Sequence, residues 1–309
     1  MKCSKCGFEN PNGFKFCCQC GTKLEVNNKC PKCGTTFPYE GIFCPECGTR
    51  VRVESIEKDR TSIMDMHPEE LEFMVGSCSF KMIKVDGGTF TMGATVEQED
   101  EAFDDERPAH KVTLSDYYIG QTEVTQALWT AVMGNNPSLF KGDNRPAEGV
   151  SWDDCQAFVE KLNRLLSSQL GGMRFVLPTE AQWEFAARGG NKSKGYKYAG
   201  SNNDDDVVWF CDNSYEQTHP VAQKKPNELG LYDMSGNVLE WCQDWYDDEN
   251  YYRISPENNP QGPADGEERV TRGGSWGDSA YYYCRVSCRN KHTPDFRDDY
   301  LGFRLCLIP

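Results

Sequence analysis

Four Cys-x-x-Cys pairs stand near the start of the chain: Cys3 and Cys6, Cys17 and Cys20, Cys30 and Cys33, Cys44 and Cys47. A glycine follows each pair at once, at positions 7, 21, 34 and 48. Such a turn aims two thiolates at one ion while backbone N–H groups bond the sulfurs, and two turns complete a closed tetrahedral site of four sulfurs. The spacing predicts two structural Zn²⁺ sites, one within residues 1–25 and one within residues 26–53. A closed site keeps no open position for a substrate, so zinc catalysis is not expected there. Segments this short bury too little apolar surface to fold alone, which makes the metal a condition of folding. Cys18 is an extra thiol in the second pair and is read as a spectator. A disulfide framework is disfavoured, because MKCSKCGFENPN carries no apolar stretch of the kind a secretory signal needs.

The pattern resembles tandem zinc-ribbon modules. Through Val53 there are eight Lys/Arg against four Glu, and two four-thiolate zinc centres of about −2 each cancel that excess. Docking of another protein therefore fits these segments better than nucleic-acid binding. The whole chain, at a net charge of −15, likewise disfavours nucleic acid and anionic lipid as partners. No apolar run is long enough to cross a bilayer, and a cytoplasmic protein is expected. Residues 54–79 are polar and charged, with an apolar burst at Leu71–Val75, and read as a linker with a short helical stretch.

A second concentration of chemistry lies in residues 272–306, RGGSWGDSAYYYCRVSCRNKHTPDFRDDYLGFRLC. Recognisable phrases (RGGSW, CRVS, PD, LGFRL) alternate with slots holding Gly277, Asp278, Ser279, Tyr281, Tyr282, Tyr283, Cys288, Asn290, Lys291, His292, Thr293, Phe296, Asp298, Asp299 and Tyr300. Tyrosine and phenylalanine offer broad, stiff contact area with few rotatable bonds, and short polar residues offer adaptable hydrogen bonds. Recognition loops of antibodies use this mixture.

The elements that must carry these residues have local signals. MIKVDGGTFTMG reads as two short strands around Gly87-Gly88, and VTLSDYYIGQTEVT as another strand pair. Thr125 precedes a helix with Leu128, Trp129 and Met133 on one face and Gly134 as its stop. Ser151 precedes WDDCQAFVEKLNRLLS, apolar at 152, 155, 158/159, 162 and 165/166, a helical period. Thr179 and Gln182 form a capping box before WEFAARGG, which Gly189 ends.

GGTFTMG, EVTQALW, PAEGVSWDDCQAF, RFVLPTEAQWEFAARGG, NELGLYDMSGNVLEW, TRGGSW and LGFRL follow one another in the order of the formylglycine-generating enzyme (sulfatase-modifying factor) family, and the likeness covers about Met82 to Leu307. The resemblance implies an α+β domain over residues 80–309, of irregular C-type-lectin-like fold, with Trp152, Trp183, Trp241 and Trp245 as core or loop anchors. In catalytic members two cysteines hold copper, three and eight residues after the serine of the RGGS phrase. Here Ser275 leads to Asp278 and Tyr283, neither of which supplies a thiolate. The nearby Cys284 and Cys288 are spaced one residue too close and fall beyond the catalytic positions, so no copper is expected. A related branch uses iron on histidines, but His67, His110, His219 and His292 are scattered. The resemblance also implies a Ca²⁺ loop, with Asp233 and Glu240 as side-chain ligands and Gly236 and Val238 offering carbonyls.

Within this fold, residues 272–306 resemble the variable region of diversity-generating retroelement target proteins. There, mutagenised adenines turn asparagine codons into many residue types while the scaffold stays intact. Such a codon yields every slot residue here except Lys291. The expectation is a non-catalytic protein that binds a protein or other macromolecule at a Tyr-rich, diversified face. A copper-dependent formylglycine-generating oxidase and a zinc-ribbon adaptor of fixed specificity are the alternatives.

Overall fold

A computed structural model describes residues 5–6, 27–29, 32–33, 36–38, 68–98, 101–247 and 251–309. The chain divides into two units, Met1–His67 and Pro68–Pro309. In the first, strands β1 (Asn27–Lys29) and β2 (Thr36–Pro38) pair antiparallel, Asn27 opposite Pro38 and Lys29 opposite Thr36. Cys33 sits in the turn between them and Cys6 in a turn of its own, both exposed. A cysteine in a hairpin turn is where a zinc knuckle places a ligand. Cys3, Cys17, Cys18, Cys20, Cys30, Cys44 and Cys47 lie outside the described residues, as does His67.

The second unit starts earlier than the sequence implied. Strand β3 (Glu70–Val75) pairs along its whole length with β4 (Cys78–Val85). The expected linker with a helical stretch is therefore corrected at its C-terminal end. Leu71, Phe73 and Val75 alternate with Glu70, Glu72 and Met74, which is the period of a strand, and Phe73 and Val75 are buried. Strand β5 (Gly88–Met92) follows β4 but does not pair with it; its partner is β6 (His110–Leu114). Likewise β7 (Tyr117–Gly120) turns away from β6 to pair with β4. The two expected strand pairs are thus shared out between two sheets.

Helix α1 (Gln126–Met133) is capped by the Thr125 hydroxyl, which accepts from Leu128 N–H, and stops at Gly134 with φ 87°. Helix α2 (Trp152–Leu166) begins with a reciprocal Ser151/Asp154 capping box and buries Cys155, Phe158, Val159, Leu162 and Leu166. Each such apolar side chain contributes roughly 1.5–3 kcal/mol. After β8 (Arg174–Val176), the Thr179/Gln182 box opens α3 (Glu180–Ala187). A short α4 (Asp204–Val207), strand β9 (Leu239–Trp245), a short α5 (Tyr251–Ile254) and β10 (Arg269–Arg272) lead to the tail. There α6 (Ala280–Tyr283), β11 (Arg289–His292), β12 (Leu301–Gly302) and β13 (Cys306–Ile308) complete the domain.

Two main sheets result. One runs β3-β4-β7-β13-β8 and the other β11-β10-β9-β12. The result is an irregular α+β domain with short strands and abundant loop. Trp183 and Trp241 are fully buried; Trp152 and Trp245 hold the Arg269 guanidinium between them, 3.9 and 3.3 Å from their ring centroids. Strand β10 thus lies against these tryptophans, and the slot segment follows it in the chain.

Candidate binding face

The RGGS phrase leaves β10 through Gly273 (φ 100°) and Gly274 (φ 69°). A Cβ on Gly274 would stand 2.6 Å from Cys284 Sγ, so the chain can pass there only without a side chain. Ser275 N–H and Oγ–H both donate to Asp278 Oδ2, at 2.9 and 2.8 Å, which folds the next residues into a tight turn. Burial pushes the Asp278 carboxyl above its usual range, with the two Ser275 bonds opposing. Cys211 N–H donates to the Asp278 carbonyl at 3.0 Å, tying the turn to a neighbouring loop.

That turn launches α6. Ala280 and Cys284 are buried against Tyr198, Val207, Val208 and Phe210. One helical turn with both ends anchored must present its middle outward, and Tyr281, Tyr282 and Tyr283 remain 47%, 48% and 41% exposed. Tyr281 meets Tyr282 edge-on with centroids 4.9 Å apart, and Tyr283 lies 5.7 Å from the ring of Phe103, itself 37% exposed. Lys197 Nζ sits 4.2 Å above the Tyr281 ring and pairs with Glu101 at 2.9 Å. Phe103, Glu101 and Lys197 are neighbours that sequence reading missed. They lie 80 to 176 residues before Gly277, the first slot, and no local pattern marks them.

Directly after α6 the chain changes character. Arg285 donates to both oxygens of Glu106, at 2.8 and 2.5 Å, and Ser287 Oγ–H reaches Glu106 Oε2 at 2.5 Å. Arg289 grips Glu180 through Nε at 2.7 Å and Nη2 at 3.0 Å, and Arg272 pairs with Glu184. All six charged residues are buried. The phrases RGGS and CRVSCR therefore supply an internal ionic frame, and their counter-ions come from Asp104–Glu106 and α3.

The remaining slots behave differently from the tyrosine turn. Asn290, Lys291 and His292 lie on β11, opposite Thr271, Val270 and Arg269. Lys291 Nζ pairs with Glu268 at 3.2 Å. His292 stacks on Phe296, with centroids 4.6 Å apart and planes 17° apart, and Tyr300 stands 6.4 Å from Phe296. These rings are partly buried against the core. Burial lowers the His292 pKa, and burial followed by the Asp298 charge pushes the Tyr300 hydroxyl up to about 12. Thr293 is exposed and donates to Asp295 at 2.7 Å; Gly277 is exposed, with open space where a Cβ would go. The Asp299 carbonyl accepts from Trp276 Nε1 at 3.2 Å, and the Asp298 carbonyl accepts from Gly149 N–H. Cys288 is a correction: it is 3% exposed, and its thiol is pushed up to about 12, first by burial and then by Glu106. It cannot touch a ligand.

Cys284 is fully buried and its thiol is raised far above the usual range by burial, then by Asp278. His110 lies tilted against Tyr252 and His219 stacks on Trp209, while His292 lies in the β11 cluster; no group of three potential metal ligands exists among the described residues. In the loop expected to hold calcium, Asp233 Oδ2 accepts from Ala222 N–H at 2.7 Å, while its Oδ1 has no partner and is buried. Glu240 is already engaged. Arg304 Nε and Nη2 and Trp183 Nε1 each donate to it at 2.6 Å. A calcium set needs both carboxylates, and a guanidinium in bidentate contact with one of them opposes a dication, so these residues do not fit the implied Ca²⁺ site.

The profile of the sulfatase-modifying factor enzyme 1-like domain matches residues 77–307. The chain belongs to this family. A double zinc ribbon profile matches residues 3–48, in front of the family domain. Formylglycine-generating enzyme of Streptomyces coelicolor is 31% identical over 292 residues, covering 72% of this chain and 87% of that protein. Chaperone protein LppX of Paenibacillus barcinonensis is 39% identical over 210 residues, covering 53% of this chain and 71% of that one. Among solved structures, Treponema denticola variable protein 1 superposes with a TM-score of 0.69 at 36% identity, covering 78% of this chain and all of its own. The proteins that this domain is similar to thus include a formylglycine-generating enzyme and a variable protein. PvdO from Pseudomonas aeruginosa superposes with a TM-score of 0.65 at 25% identity, covering 79% of this chain and 100% of that one. No helix among the described residues is long and apolar enough to cross a membrane.

Proposed function

We propose that this chain is a non-catalytic binding protein whose sulfatase-modifying-factor-type domain displays an exchangeable, Tyr-rich face centred on Tyr281–Tyr283. Zinc in the two ribbons holds the front of the chain folded, and the ribbons dock a partner protein. The observation that carries this reading is the alternation of fates along one stretch. Arg272, Arg285 and Arg289 are buried in ion pairs, while the tyrosines between them are open to solvent. A framework pinned from inside tolerates exchange outside, which is what adenine-directed diversification requires. Likeness to a variable protein over its full length supports the same conclusion.

The enzymatic alternative has the family's oxidase chemistry behind it but lacks the sulfurs. The two positions that match the copper-binding cysteines hold Asp278, bonded to Ser275, and Tyr283. Cys284 and Cys288 are buried thiols held protonated, the opposite of the exposed thiolates that Cu(I) binding favours.

Replacement of Tyr281–Tyr283, Gly277 and Thr293 with another slot mixture tests the reading. Ligand choice should change while the melting temperature moves by only a few degrees; a collapse of folding would reject it. Copper-dependent oxygen uptake with a cysteine peptide, lost in Cys284→Ser, would establish the enzyme instead. A near-copy of the coding segment for residues 272–306 beside a reverse-transcriptase gene, differing only at adenines, is the expected genomic signature.

A further inference from the structure

The charges that surround the tyrosine turn point to the chemistry of its partner. Packing of Ala280 and Cys284 on Val207, Val208 and Phe210 places α4 and the loop after it beside α6. Those elements carry Asp204, Asp205, Asp206 and Asp212. Asp278 joins them from the turn itself, and Glu101 from beneath Tyr281. Three ammonium groups stand in the same neighbourhood, and all three are engaged. Lys197 pairs with Glu101, Lys225 pairs with Asp206 at 2.9 Å, and Lys224 donates to the Asp205 carbonyl while lying 4.2 Å over Trp209. The Arg285 guanidinium is turned inward on Glu106. Six carboxylates against three ammoniums leave the rim of the tyrosine turn anionic.

The turn also shows what its rings accept. Lys197 holds its ammonium over Tyr281 with a carboxylate behind it, the arrangement in which an aromatic face and an anion share one cation. Tyr282 and Tyr283 present two further rings of the same kind to solvent.

We propose that the tyrosine turn binds a lysine- or arginine-rich protein segment, its alkyl stems lying on the rings and its charged ends meeting the aspartates of α4 and the loop beyond. The proposal rests on the reading of Tyr281–Tyr283 as a binding face. Nucleic acid, anionic lipid and acidic proteins would meet like charge at the rim.

Panning a phage-displayed library of random dodecapeptides on the full chain at physiological salt tests this. Selected sequences should carry net positive charge and lose about tenfold or more in affinity on the triple change Tyr281→Ser, Tyr282→Ser, Tyr283→Ser. They should also weaken on the double change Asp204→Asn, Asp212→Asn, with both variants melting within a few degrees of the parent. Neutral or acidic selected peptides that still depend on the tyrosines would overturn the cationic partner and leave the binding face standing. Basic peptides indifferent to the tyrosines would overturn both, since general attraction to an acidic chain would then explain them. No enrichment above background would also overturn the cationic partner.

Discussion

Arg285 and Tyr283 are two residues apart, yet they obey opposite rules. Arg285 is fully buried, its guanidinium closed by Glu106 and its Nε donating to the Tyr282 carbonyl at 3.1 Å. Tyr283 spreads its ring over the surface beside Phe103. The first residue is fixed by what it would leave behind: without its partner, a charge would sit unpaired in the interior. The second is fixed by nothing except that it must not disturb Ala280 and Cys284 on either side. Tolerance to change is thus assigned residue by residue within one helical turn. The β11 cluster lies between these extremes, since His292, Phe296 and Tyr300 are slots by position but support part of the core. Exchange there should cost stability that exchange at Tyr281–Tyr283 does not.

The sharpest way to break this contrast is at the frame. Glu106→Gln strands the Arg285 charge and should cost about 3–5 kcal/mol in urea unfolding; a loss below about 1 kcal/mol would mean that the frame is not what fixes the phrase. Gly274→Ala forces a methyl against Cys284 Sγ at a positive φ and should cost about 1–3 kcal/mol by the same measurement. A pH-dependent effect comes next. Burial, reinforced by Glu180, pushes the Asp244 carboxyl up to about 8. The folded state then holds this proton more tightly than the unfolded chain does. Its stabilising effect is complete below about pH 4 and is lost as pH rises through 8. Asp244→Asn has no proton to lose, so its melting temperature should gain on the parent steadily across that window; a constant difference would rule the buried acid out. Smallest of all, Tyr281→Ser combined with Tyr282→Ser and Tyr283→Ser should shift the melting temperature by only a few degrees, as exposed sites do.

Local signals were the legible part of this fold. Thr125, Ser151 and Thr179 each cap the helix expected of them, because a hydroxyl three residues before an N–H is a short-range device. Strand β3 escaped notice because Met74, apolar but 56% exposed, blurred the alternation of Leu71, Phe73 and Val75 into a plain apolar run. The ionic frame was out of reach for another reason. Glu106 and Arg285 lie 179 residues apart, and nothing in either segment says which buried carboxylate meets which guanidinium. Glu240 illustrates the same limit: its position in the loop pointed to a metal, whereas Arg304, 64 residues on, already fills its oxygens. Cys288 looked like its neighbouring slots in type but faces inward.

Strand β13 lies between β7 and β8 and joins them into one sheet, yet it is written after the last slot. A copying error that shifts the reading frame anywhere in residues 277–300 would therefore erase the strand that stitches the two halves of that sheet together. Such a product would lose the pairing of β13 with both neighbours and is expected not to fold. Under the proposed diversification, the order of elements along the chain would admit only those exchanges that keep the message in register.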